Sequence, residues 1–117
     1  MNINENFFDF DAKCNILLNS VINFLLIEYK EEKFTVQLRF NLPHRSDYKL
    51  LVLSLNNVIS INLNQSIKTI GQQIHNYKFL RQNDNYYLSL DPDESFIEPM
   101  DSDQDIFIFN SITFHID

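Results

Sequence analysis

The sequence predicts a mainly β protein: an antiparallel two-layer sheet sandwich or partial barrel, with room for one short helix. Eleven Phe, five Tyr and many Ile favour pleated surfaces over helical ones. Residues 34–42 alternate apolar and polar without a miss, the mark of a half-buried strand. Short apolar runs are separated by turn-forming clusters, the spacing expected of a sandwich or barrel. With one Gly against fifteen Asn, the left-handed turns fall to Asn, which tolerates that conformation best after Gly. At 117 residues, with no repeat, linker or low-complexity tract, residues 1–117 read as a single domain with one core.

Residues 12–29 read two ways. Cys14, Leu17, Leu18, Val21, Ile22, Leu25, Leu26 and Tyr29 trace a helical stripe with Asp11 as a cap, while Ile16, Phe24 and Ile27 fall off it. A strand from about Val21 is favoured, because Lys30-Glu31-Glu32-Lys33 is a short polar connection to the strand at 34–42 and makes antiparallel pairing cheap in loop entropy. Pro43 ends that second strand, and residues 43–47 form a polar loop. Residues 48–55 are apolar on both faces and suit a strand inside the stack.

At Asn56-Asn57 the pattern resets: Ile59, Ile61 and Leu63 then alternate with Ser60, Asn62 and Asn64, a phase change that a bulge or tight turn would explain. Residues 65–75 read as loop or short helix, with Ile67, Ile70 and Ile74 on one face and Gly71 weakening it. Residues 77–81 and 86–90 flank Asn83-Asp84-Asn85 as a hairpin would. The last strand, residues 106–116, sets Ile106, Ile108, Ile112, Phe114 and Ile116 on one face, and Phe107 and Phe109 add a second apolar face at its start.

The net charge of −7 is uneven. Residues 1–80 carry eight Lys and Arg against seven acids, whereas residues 81–117 carry nine acids against Arg81 alone. Asp91, Asp93, Glu94, Glu98, Asp101, Asp103 and Asp105 fall together with no basic residue among them, and Pro92 and Pro99 keep the segment irregular. Like charges this close repel unless they face water or a cation. Three readings stand. Acids at strand ends keep a sticky sheet soluble, with Asp105 and Asp117 bracketing the Phe-rich final strand. Asp101, Asp103 and Asp105 have the alternate spacing that opens a calcium loop, although Ile106 and Ile112 occupy the places where that loop requires Gly and Glu, which leaves a looser cation site pooling Asp91, Asp93 and Glu94 with Asp101 and Asp103. Alternatively, the segment is a negative patch that meets a basic protein, with Tyr86, Tyr87 and Phe96 as aromatic anchors.

Catalytic chemistry is not evident. His44, His75 and His115 lack zinc-site spacing, a lone Gly excludes a phosphate-cradling loop, and no nucleophile sits in a recognisable elbow. No catalytic or metal residue and no cofactor is therefore assigned. Nine Lys and Arg without a basic stripe argue against nucleic-acid binding. The start of the chain lacks the charged n-region and cleavage site of a secretory signal, and the longest apolar run is far short of the ~20 residues of a membrane span. A single Cys14, read as a small buried hydrophobe, suits a reducing compartment. The expectation is a cytoplasmic protein that acts neither on nor in a membrane.

The alternating strand at 34–42, the loop with Pro43, Asn57-Val58-Ile59-Ser60-Ile61, and Tyr86-Tyr87-Leu88-Ser89-Leu90-Asp91-Pro92 together resemble small bacterial immunity proteins of polymorphic toxin and contact-dependent inhibition systems. The resemblance spans about residues 20–92 and implies a non-catalytic inhibitor that neutralises a cognate protein toxin by covering its surface. An acidic, aromatic-bearing loop suits a basic nuclease toxin best. The same chemistry would serve a phage-encoded antagonist of a host defence protein, and a calcium-stabilised β-rich interaction module is the alternative from another class.

Overall fold

In the computed structural model, which describes residues 6–63 and 70–117, the chain is mainly β. A short helix α1 (Phe7–Cys14) precedes six strands: β1 (Val21–Lys30), β2 (Lys33–Asn41), β3 (Leu50–Asn62), β4 (Lys78–Gln82), β5 (Asn85–Asp91) and β6 (Gln104–Ile116). All pair antiparallel in one sheet of order β1-β2-β3-β6-β5-β4, which is not closed into a barrel. The second layer over part of that sheet is α1, not another sheet.

The period-two pattern that announces β2 also sets the core. Val36, Leu38 and Phe40 pair with Leu55, Leu53 and Leu51 of β3, and those residues are opposite Ile112, Phe114 and Ile116 of β6. The six β2 and β3 side chains are fully buried. Transferring each from water contributes about 1.5–3 kcal/mol. The β1–β2 hairpin forms as the strand reading of residues 21–29 expects, with Tyr29 opposite Phe34 and Lys30 opposite Lys33.

Asparagine does take left-handed positions: among the described residues, four of the seven non-glycine residues with positive φ are Asn15, Asn19, Asn57 and Asn83. Asn57, at φ 50°, stands where the sequence pattern resets, and the β3–β6 register shifts between Val58 and Ser60. Across this bend the fully buried positions of β6 pass from Ile116 to Phe107 and Phe109, leaving Ile106 and Ile108 half-buried. The expected single Ile face of the last strand therefore holds only for its second half.

Among the described residues the helix is α1, ahead of the first strand. Residues 64–69, part of the segment expected as loop or short helix, fall outside the described residues; from a turn at Ile70 and Gly71 the chain passes along the start of β1, where Gly71 donates to the Ile22 carbonyl, Ile22 to that of Gln72, and Ile74 to that of Ser20. The Asn6 side chain caps α1 by accepting from the Asp9 amide at 2.8 Å. Asp11, expected as a cap, sits in the last turn and is buried. Phe7 and Phe10, one turn apart, both reach Phe114, with ring centroids 5.2 and 5.3 Å away. Such ring pairs contribute about 0.5–1.5 kcal/mol beyond the area they bury.

Candidate functional site

Residues 92–103, between β5 and β6, contain no strand or helix, as Pro92 and Pro99 dictate. What shapes them is one carboxylate. Asp103 Oδ1 accepts from Lys78 Nζ at 2.8 Å and from the Asp93 amide at 2.8 Å, while Oδ2 accepts from the Tyr87 hydroxyl at 2.7 Å and the Met100 amide at 3.0 Å. Lys78 Nζ also donates to the Glu98 carbonyl at 2.9 Å. The loop is thus tied at Asp93, Glu98 and Met100 to a knot at its base.

Burial alone would push the Asp103 carboxyl up. The Lys78 ammonium, the Tyr87 hydroxyl and the two amides outweigh it and bring the carboxyl down to about 2. Burial and the neighbouring carboxylate push the Tyr87 phenol well above its ordinary range. At the rim, the Ser102 hydroxyl and the Ser95 amide hold Asp93 below the usual carboxylate range.

The knot divides the residues that the sequence nominates. Asp91, Glu94, Glu98 and Asp101 are exposed and Asp93 is half-exposed, so these face outward together. Asp103 and Asp105 are buried, at 3% and 5% exposure, and serve the interior. Of the aromatic residues, Phe96 is 46% exposed, whereas Tyr87 is buried in the knot. Tyr86 is half-buried in a ring cluster, 5.8 Å from Phe79 and 5.6 Å from Phe109, with the Arg81 guanidinium 5.7 Å from its ring centre. Asp103, Asp105 and Tyr87 are thus withdrawn from solvent, while Phe96 is open to it.

Sequence reasoning missed two contributors. Ile97, beside Phe96, is 87% exposed, the most open large apolar side chain among the described residues. Lys78 is buried and holds the loop from β4, the strand beside β5. For Asp105, two residues before Phe107 and four before Phe109 in β6, the shared inward face was the available signal; Asp103 precedes the strand and had none.

A calcium loop opened by Asp101, Asp103 and Asp105 would need Asp103 as a ligand, and an ammonium group already occupies that position. Among the described residues no group of three or more His, Cys, Asp or Glu is placed to hold a metal ion. Cys14 is half-buried and free, its thiol donating to the Phe10 carbonyl, and burial pushes it up. No helix among the described residues is long and apolar enough to cross a membrane.

A cleft of about 500 Å³ opens beside the loop. Phe8, Ala12 and Leu18 line one side, Asp93, Glu94, Phe96 and Ile97 the other, and Tyr77, Lys78, Phe79 and Leu80 the floor. The chain matches no protein-family model, no curated protein and no solved structure.

Proposed function

We propose that the chain is a non-catalytic protein-binding inhibitor that occludes a basic protein through the face of its acidic loop. The observation that carries this reading is the presentation of Phe96 and Ile97 to solvent among Asp91, Glu94, Glu98 and Asp101 on a loop anchored by Asp103. Two large apolar side chains left in water gain little on folding, and a partner that buries them gains that hydrophobic free energy on binding. An aromatic centre rimmed by charge is the arrangement that concentrates interface energy. The surrounding acids steer a positively charged partner and raise its association rate at low salt. The strand resemblance suggests that this partner is a cognate toxin, and the charge suits one whose surface binds nucleic acid.

The resemblance implies a toxin encoded beside the inhibitor, and that toxin is the partner for the test. Reversing Asp91, Glu98 and Asp101 to Lys, all exposed, is expected to slow association at least tenfold at low salt and flatten its salt dependence. The melting temperature should change little. An unchanged association rate rejects the acidic face as the contact. Phe96→Ser tests the anchor separately and should act on the dissociation rate.

A further inference from the structure

We infer that the outer edge of β4 accepts an extended segment of the partner as an added strand, with basic and apolar residues alternating along it. The inference rests on the protein-binding reading above and names the chemistry of what is bound. Among the described residues β4 ends the sheet and pairs with β5 alone, so alternate residues of Lys78–Gln82 turn their amide and carbonyl groups away from the sheet. Unpaired edges are templates for strand addition, and proteins ordinarily blunt or cover them. At the opposite end of the sheet, residues 71–74 cover the start of β1. At β4, by contrast, the edge forms the floor of the open cleft.

Both walls of that cleft are fixed to the floor. The Tyr77 hydroxyl donates to Asp11 at 2.9 Å, tying α1 to the approach to β4, and Lys78 Nζ at the Glu98 carbonyl and Asp103 ties the loop to its first residue. A groove set before binding costs less to occupy than one that must be ordered. Side chains of an added strand would point alternately to the two walls. The α1 wall presents Phe8, Ala12 and Leu18 and suits apolar side chains, and the loop wall presents Asp93 and Glu94 beside Phe96 and suits Lys or Arg. The acidic wall repels phosphates, which selects polypeptide over nucleic acid as the occupant.

The probe is a capped decapeptide alternating Lys and Val, titrated into the full chain at low salt. Controls are the same peptide with Pro at every second Val and one with Glu for Lys. The Lys-Val peptide should bind and slow amide hydrogen exchange across residues 78–82 at least tenfold, and both controls should bind at least tenfold more weakly. Ala12→Trp, an exposed position on the cleft wall, should weaken the probe at least tenfold without lowering the melting temperature. Equal binding of the Pro peptide, protection elsewhere than β4, or no binding overturns strand addition. If the probe fails while reversal of Asp91, Glu98 and Asp101 still slows the toxin, the strand-addition inference falls and the protein-binding reading stands. A probe that protects β4 while those reversals leave the toxin unaffected supports the groove and rejects only the loop face.

Discussion

Lys78 Nζ and Asp103 Oδ1 stand 2.8 Å apart, with both side chains withdrawn from solvent. Breaking a buried pair by removing one partner typically costs about 3–5 kcal/mol, because the remaining charge is left uncompensated. Asp103→Ala is expected to destabilise the fold by that amount in urea unfolding. Replacing both residues, Lys78→Met with Asp103→Leu, should recover much of the loss, although the Asp93 and Met100 amides lose their acceptor. A double variant no more stable than Asp103→Ala would show that those amides, and not the stranded ammonium, dominate the cost.

Acid sensitivity follows from the same carboxylate. Its folded value of about 2 lies below the ordinary aspartate value near ~3.9. The unfolded chain therefore takes up the proton first as pH falls. Stability from this group is fully present above about pH 5 and is lost as pH falls toward 2, by about 2 kcal/mol in all. Asp11 acts in the opposite sense, since burial raises it, so its contribution grows as pH falls. Urea midpoints measured between pH 6 and pH 2 should fall more steeply for the native chain than for Asp103→Asn. Parallel curves would remove Asp103 as the source.

The β1–β2 turn is built from the wrong residues for its shape. Glu31 and Glu32 both have positive φ, 52° and 62°, the pair of conformations that two-residue hairpins give to Asn-Gly. Each left-handed non-glycine residue costs about 1 kcal/mol or more. Glu31→Asn with Glu32→Gly is expected to stabilise the fold by about 1 kcal/mol, read as a higher urea midpoint with unchanged slope. A lower midpoint would mean that the Glu side chains contribute more than the backbone strain costs.

Helix α1 is held by its cap and its rings. Asn6→Ala removes the acceptor for the Asp9 amide and should cost about 1 kcal/mol. Phe7 is 1% exposed and packs against Phe79 and Phe114, so Phe7→Ala should cost about 3–5 kcal/mol. A much smaller loss on calorimetric melting would mean that the helix detaches from a sheet stable without it.

Legibility in the sequence tracked how local the deciding physics was. β2 was readable because its alternation sets its own inward face, and Asn57 because a left-handed residue breaks that alternation in place. α1 escaped notice because Phe7, Phe10, Asp11 and Cys14 occupy a helical face only two turns long, next to a longer apolar run that ends in β1. In the loop, seven acids read as one charged surface because charge in a sequence reads as exposed. What withdraws Asp103 is Lys78, a residue remote in sequence and on another strand, and no local pattern announces that pairing.

The last strand in chain order, β6, lies between β3 and β5, and joins the sheet's first three strands to the β4–β5 hairpin. Its partners are remote in sequence on one side, as Leu51 and Ile116 illustrate, so a long loop must close before their contacts reward it. Folding is therefore expected to be slow for the chain's size, on the millisecond-to-second scale of sheets dominated by distant pairings. Neither the three-strand meander nor the hairpin can bury its apolar face alone, and until β6 docks both are exposed to aggregation and proteolysis.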